Sequence, residues 1–392
     1  MKSCNAVISG MGVVSAAGSC VSESLDSMAA GTRNVAPLAL FDSPLTLPVY
    51  QARCLDAGED VARMRSLRLL DVAVAEALAQ AGLASLAGLR AGICLGTTVA
   101  CQLNDLGFYS AYKQHEQAPM ESVDRYLHGN LAEALAAATG AEGPATVMVN
   151  ACSSGTDAIG AALSWLSTGR CDIVIAGGAD ELSRIPLCGF QALGVASDEP
   201  CAPFDANRKG LNLGEGAGVV VLETADSAAR RGVKSPLRVC GYGASSDAYH
   251  LTAPHPEAEG LKRSISIAMA QAKIAPTDIA FVNTHGTSTH DNDLVEGRAM
   301  RSIFGPDLKM LSTKGYTGHT LGAAGGIEAV FTAAALQSGS IPASAGFTTP
   351  DSEIGIAPVT TNTAITGRYA LSTSLAFGGN NAALIIGLED QS

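Results

Sequence analysis

The chain has 392 residues, 47% of them hydrophobic and only 5% aromatic, which is enough apolar material for two domains or one large duplicated core. Its net charge of −12 argues against a general nucleic-acid binder, and no stretch approaches the roughly 18 apolar residues that span a bilayer. Ten cysteines are scattered without a Cys-x-x-Cys pair, so neither a disulfide framework nor zinc is indicated; with no signal-like core after Met1, reduced thiols in a cytoplasmic setting are expected.

In chain order, Val7 to Ser15 reads as a strand running into glycines. Gly10-x-Gly12-x-x-Ser15 lacks the third glycine and following helix of a dinucleotide fingerprint. The basic run Arg63-Met64-Arg65-Ser66-Leu67-Arg68 precedes a helix expected over Leu69–Ala79, and reads either as a solvated helix cap or as a patch for an acidic partner. The apolar run Val147-Met148-Val149 stops at Asn150-Ala151-Cys152-Ser153-Ser154-Gly155. A helix is expected next, over Thr156–Trp165, because Ile159, Leu163 and Leu166 fall at spacings of four and three. A thiol at such a junction faces unpaired N–H groups and the positive end of a dipole, so a lowered pKa and a thiolate are expected of Cys152. The competing reading is a buried structural cysteine.

Asp172–Ala176 is an apolar strand, and Gly216 to Glu223 closes the first half. The polar, basic stretch Thr224–Pro236 is the expected seam. Val239 to Ser246 then opens a second half as Val7 to Ser15 opened the first. It continues with a helix over Gly260–Ala272, a strand over Ile279–Val282, a glycine- and alanine-rich helix over Leu321–Leu336 that answers Ser154–Leu166, and a last strand over Asn381–Glu389. The pattern is α/β layering with buried, mostly parallel strands, in two halves spanning residues 1–230 and 231–392.

The second half holds more chemistry. His285 ends an apolar strand in Val282-Asn283-Thr284-His285-Gly286-Thr287-Ser288-Thr289. His319 stands at the mouth of the small-residue helix, five residues after Lys314, and Phe377-Gly378-Gly379 forms a glycine turn before the final strand. One histidine at a strand end is usually structural, but four such sites in fixed order are harder to dismiss. His285, His290, Asp291 and Asp293 are ligand types, yet their spacing fits no zinc motif, and no metal is expected.

In this order the residues resemble the β-ketoacyl-acyl-carrier-protein synthases of the elongating type, in the thiolase superfamily, over nearly the whole chain. Ala151 to Gly155 is similar to the family's nucleophile motif, and His285 to Thr289 with Asp293 and Glu296 to its first histidine motif. Lys314 to Gly325 with Glu328 is similar to the second, and Phe377-Gly378-Gly379 to its last loop. Pro203-Phe204-Asp205, Gly214 to Gly218 and Ser246 to His250 also match.

The resemblance implies a thiolase fold: two pseudo-symmetric α/β halves in a layered αβαβα arrangement, forming a dimer. It implies decarboxylative Claisen condensation of a Cys152-bound acyl chain with malonyl-acyl-carrier protein, in fatty acid or polyketide elongation. No cofactor is implied, since the substrates ride on a carrier protein's phosphopantetheine arm. By resemblance, His285 and His319 donate to the enolate oxygen, and the backbone N–H groups of Cys152 and Phe377 hold the tetrahedral oxyanion. Lys314 orients the site, paired with Glu328, and Asp293 and Glu296 support it. Thr287 and Thr289 bond the arm, Thr252, Gly378 and Gly379 also line the substrate path, and Arg63, Arg65 and Arg68 meet the acidic carrier protein.

Two histidines, rather than the Cys-His-Asn set of starter enzymes, favour elongation. No cysteine follows Cys240, as a degradative thiolase would need. Five positions depart from the family pattern: in the last loop Thr373 replaces an asparagine, Leu375 a phenylalanine and Ala376 a glycine, and elsewhere Ala202 replaces an arginine and Lys209 an aspartate. Ala376 narrows the accessible backbone angles, so the gate carrying Phe377 is expected either to open less freely or to hinge further along, at Gly378-Gly379. The alternatives are a specialised polyketide or aryl-polyene ketosynthase paired with a sister subunit and, in another class, a non-catalytic chain-length-setting partner. The intact Cys152, His285 and His319 argue against the latter.

Overall fold

The computed structural model describes residues 5–55, 64–98, 106–118, 120, 123–124 and 130–389. The first-half strands are β1 (Ala6–Val14), β2 (Ala36–Pro37), β3 (Pro48–Val49), β4 (Ala91–Gly96), β5 (Ala145–Met148), β6 (Ile173–Asp180) and β7 (Gly216–Glu223). Those of the second are β8 (Leu237–Ser246), β9 (Ile279–Asn283), β10 (Met310–Leu311), β11 (Ser340–Ile341), β12 (Thr363–Ala364), β13 (Tyr369–Ala376) and β14 (Asn380–Leu388).

Ten strands hydrogen-bond in the order β10-β9-β13-β14-β8-β1-β7-β6-β4-β5. Counted outward from the β8–β1 joint, each half places its own strands in one sequence: first, fifth, fourth, second, third. The joint itself is two residue pairs, Ala6 with Val239 and Val7 with Arg238. The expectation of mostly parallel strands is corrected. β4 pairs with β5 and β6, and β9 with β10 and β13, in parallel. The five pairings nearest the joint are antiparallel. Strands covered on both faces carry the same continuous apolar run whichever way they point, so the sequence does not separate the two.

Helices complete five layers. Arg65–Ala81 covers the outer face of the first half, setting Leu69, Leu70, Ala73 and Ala77 on Ile93, Ile175 and Val221. Glu259–Ala272 covers the second, setting Leu261, Ile265 and Ala268 among Val282, Leu371 and Ile385. Between the half-sheets lie two central helices, Ser154–Ser167 and Ala324–Ser338, whose Ile159, Leu163, Ile327 and Val330 share one core with residues of both halves. The second is buried on every side from Ala324 to Leu336, which suits its nearly uniform apolar composition.

Several boundaries move. The first outer helix begins at Arg65 rather than Leu69 and ends at Gly82, whose φ of +65° is the left-handed cap that glycine adopts without strain. The seam holds a short helix, Ala225–Arg231, capped by the Thr224 hydroxyl. Gly10 and Gly12 have a packing reason: a Cβ on either would stand about 2 Å from the carbonyl oxygens of Ala77 and Ala73 in that outer helix, at 2.0 and 1.9 Å. No helix among the described residues is long and apolar enough to cross a membrane.

Candidate active site

The two central helices bring their N-terminal turns together at one point. A Cβ on Gly155 would lie 2.7 Å from the backbone nitrogen of Gly326, so only glycine permits this approach. Cys152 precedes the first helix and His319 the second, and here the Cys152 Sγ and His319 Nε2 stand 3.0 Å apart. The His285 ring sits edge-on to His319, centroids 5.3 Å apart. The Phe377 backbone N–H is near enough to the Cys152 sulfur to pull its pKa down. A cavity of about 300 Å³ opens onto Cys152, His285, His319 and Phe377, and its wall includes Thr252, Thr287 and Thr289.

Lys314 ties the histidine side together. Its ammonium bonds Glu328 Oε1 and lies 3.2 Å from His285 Nδ1, with both charged side chains almost wholly buried. An ammonium has only donors, so Nδ1 must accept and the His285 proton sits on Nε2. Burial, then the Lys314 charge and His319, hold His285 well below the usual imidazole range; burial and Lys314 do the same for His319. Burial pushes Glu328 up to about 7 against the pull of Lys314.

The thiolate expectation for Cys152 is corrected. Burial pushes its thiol up to about 12, although Lys314 and the Phe377 N–H pull the other way. Almost complete burial of the sulfur desolvates the anion and outweighs the helix end. Both shifts favour the neutral forms of Cys152 and His319 at rest.

Glu296 and Asp293 work through backbone. Glu296 accepts from the N–H groups of His285 and Gly286, both at 2.8 Å, and from the Thr373 hydroxyl at 2.7 Å, fixing the chain where β9 ends. Asp293 accepts from the N–H groups of Phe204 at 2.7 Å and Ser288 at 3.1 Å, two residues held at φ of +63° and +71°. Strained angles persist where surrounding bonds over-determine them. The hydroxyls of Thr287 and Thr289 lie 2.9 Å apart.

In the last loop, Ala376 ends β13 opposite Asn380, and the left-handed angles fall on Gly378 and Gly379, at φ +87° and +82°. This loop is bonded to the 247–255 segment: Gly378 N–H donates to the Leu251 carbonyl and Asp247 N–H to that of Gly379.

The docking expectation is corrected at Arg65. Its guanidinium forks onto Glu215, with Nε to Oε2 at 2.8 Å and Nη2 to Oε1 at 2.6 Å, and Glu215 is fully buried. A charge committed to an internal carboxylate is not offered to a partner. Arg68 is half-buried and also engaged, and Arg63 lies outside the described residues. Among the described residues no three His, Cys, Asp or Glu side chains converge as a metal site would require; His290 and Asp291 are exposed at a helix start, whereas His285 and Asp293 are buried.

Sequence reasoning missed two groups. Phe190 packs its ring 5.5 Å from that of Phe377 and 6.3 Å from that of His319, and no local pattern marks it. Asp157 hydrogen-bonds Ser153, four residues before it, a helical spacing that could have suggested the contact.

Comparison with known proteins accords with this geometry. Residues 5–228 match the family model for the beta-ketoacyl synthase N-terminal domain, and residues 237–348 that for the C-terminal domain. The 3-oxoacyl-[acyl-carrier-protein] synthase 2 of Staphylococcus aureus is 41% identical over 257 residues, 63% of this chain and 64% of that protein. The mitochondrial 3-oxoacyl-[acyl-carrier-protein] synthase of Arabidopsis thaliana is 38% identical over 261 residues, 63% of this chain and 57% of that one. The chain thus spans somewhat less than two thirds of these relatives. Solved structures align almost end to end. A beta-ketoacyl synthase from Burkholderia phymatum STM815 is 28% identical, with a TM-score of 0.87 over 98% of this chain and 100% of that one. The Xenorhabdus doucetiae ketosynthase in complex with its chain length factor is 30% identical, with a TM-score of 0.84 over 98% of each chain. The ishigamide ketosynthase/chain length factor is 28% identical, with a TM-score of 0.93 over 98% of this chain and 99% of that one.

Proposed function

The chain belongs to the beta-ketoacyl synthase family, and from that membership and the geometry of its site we propose that it catalyses decarboxylative condensation of a Cys152-bound acyl chain with malonyl-acyl-carrier protein. The observation that carries this reading is the 3.0 Å contact between Cys152 Sγ and His319 Nε2, with the His285 ring beside it. In the first step the sulfur attacks the acyl thioester. The new S–C bond forms, the thiol proton passes to His319, and the departing arm sulfur takes that proton up. The Phe377 N–H, already at the sulfur, and that of Cys152 are the donors for the tetrahedral oxyanion.

In the second step malonyl thioester loses CO₂ and its electron pair moves into an enolate. His285 Nε2–H, its proton placed by Lys314, donates to the enolate oxygen, and His319 is the second donor in the tautomer that carries its proton on Nε2. The enolate carbon then attacks the acyl carbon, the bond to Cys152 breaks, and one proton from solvent restores the thiol. No metal or organic cofactor enters this scheme. Thr252, Thr287, Thr289, Gly378 and Gly379 are assigned to the path of the arm, and Glu328, Asp293 and Glu296 to holding the histidine side.

In this reading an acyl-carrier protein presents both substrates to the site. The boundary between the halves is drawn between residues 230 and 231, in the interval that separates the two matched domains. A cytoplasmic setting agrees with the eight free cysteines among the described residues. Likeness to a ketosynthase bound to its chain length factor favours a polyketide-type enzyme working with a sister subunit, alongside the homodimer of fatty acid elongation.

Intact-mass analysis after incubation with a panel of acyl-carrier proteins, with and without sister subunits, tests the proposal. The expected result is an acyl adduct on the wild type that Cys152→Ala lacks. No adduct under any condition removes the ketosynthase reading and leaves a non-catalytic partner role.

A further inference from the structure

Five residues along the first central helix from Cys152 lies Asp157, 4% exposed. Its Oδ2 accepts from Asn150 Nδ2 and from the Ser153 hydroxyl, each at 2.7 Å. Those two residues stand immediately before and after the Ala151-Cys152 pair, so one carboxylate clips both ends of the turn that presents the sulfur. The turn needs clipping: Ala151 has a φ of +50°, a conformation that a residue with a Cβ adopts at a cost. The Ser154 hydroxyl closes the same turn, accepting from the Asn150 N–H at 2.8 Å and donating to the Ala151 carbonyl at 2.6 Å.

The carboxylate is itself held from the other half. Its Oδ1 accepts from the Tyr242 hydroxyl at 2.7 Å, and Tyr242 belongs to β8. The ring lies against the helix at Gly160, where a Cβ would stand 2.5 Å from its carbons, so glycine there makes the seat. Tyr242 N–H is anchored by Gln271 Oε1 at 2.7 Å, and burial keeps the phenol protonated as a donor. All three donors to Asp157 are neutral groups. Such bonds are directional, and their energy goes into geometry rather than charge neutralisation.

We propose that Asp157, gripped by Tyr242, is a positioning residue: it aims the Cys152 sulfur at His319 Nε2 and the Phe377 N–H, and links that aim to the half of the molecule that supplies both histidines. This rests on the reading of Cys152 and His319 as the reacting pair.

The test follows iodoacetamide alkylation of Cys152 across pH by site-resolved mass spectrometry, which separates it from the exposed Cys54 and Cys188. In the wild type, His319→Ala should slow the reaction at least about a hundredfold, the low end for losing a positioned base. Asp157→Asn cannot accept from all three donors. It should show a similar drop, and adding His319→Ala to it should change the rate by less than about twofold, because the two losses share one cause. Tyr242→Phe should give a smaller drop that vanishes in the Asp157→Asn background. The proposal is overturned if Asp157→Asn keeps the wild-type pH profile and full His319 dependence while only its melting temperature falls, or if His319→Ala has no effect in the wild type. Should Asp157→Asn fail to fold, Tyr242→Phe, which removes one hydroxyl, decides the question by the same His319 dependence. Alkylation needs only the thiol and the ring, so a wild type that transfers no acyl group would sink the ketosynthase reading and still return a result here.

Discussion

The two central helices treat a buried acid in opposite ways. In Ser154–Ser167, Asp157 answers to three neutral donors and fixes the shape of a turn. In Ala324–Ser338, Glu328 answers to a cation, Lys314, which also fixes the tautomer of His285. The difference matches the two tasks. A nucleophile must be aimed, and hydrogen bonds of about 1.5–3 kcal/mol each from neutral donors to a carboxylate do this without a second charged partner. A site for a developing oxyanion must have its donors set in advance, and there a fixed positive charge close behind is useful.

The most damaging way to break this contrast is Glu328→Ala. It leaves the Lys314 ammonium buried without its carboxylate, and chemical denaturation should show a loss of about 3–5 kcal/mol. Next comes His285→Ala, which should lower the condensation rate by about 10²–10³, or about 2.7–4 kcal/mol, while Cys152 still takes up an acyl group. Single-turnover kinetics with acylated enzyme would separate the two steps, and equal loss of both would erase the division of labour between the helices. Gly155→Ala attacks the meeting point itself. With its Cβ 2.8 Å from the Gly322 carbonyl, the overpacking should cost about 1–3 kcal/mol in thermal or denaturant unfolding. The gentlest probe is pH. Because burial raises the thiol and lowers both rings, His319-assisted alkylation should be flat through neutrality, whereas in His319→Ala the rate at Cys152 should climb about tenfold per unit, 1.36 kcal/mol. A flat profile in His319→Ala would mean that a thiolate is already present.

Much of this was legible in the sequence, for reasons that differ by residue. Ile159, Leu163 and Leu166 announced their helix because one period serves both backbone and burial. The order of Cys152, His285, Lys314, His319 and Phe377 carried the site because its parts come from separate strand and helix ends. Arg65 misled, because an arginine facing water and one forked onto Glu215, 150 positions away, have identical neighbours in sequence. The thiol misled for a related reason: a helix end is visible in the chain, but the desolvation that outweighs it depends on the rings and loops closing over Cys152. Tyr242 and Asp157 lie 85 positions apart, and only the fold introduces them.

The place of β1 has a consequence for how the molecule is made. It occupies the middle of the ten-strand order, yet its partners β7 and β8 begin only at Gly216 and Leu237. At ribosomal speeds of about 5–20 residues per second, this nine-residue apolar strand waits about 10–40 s for its first neighbour. During that interval both of its edges are open to any other exposed strand. Biogenesis is thus more fragile than the finished fold: slowed translation or scarce chaperones should reduce the yield of folded protein well before they alter its melting temperature.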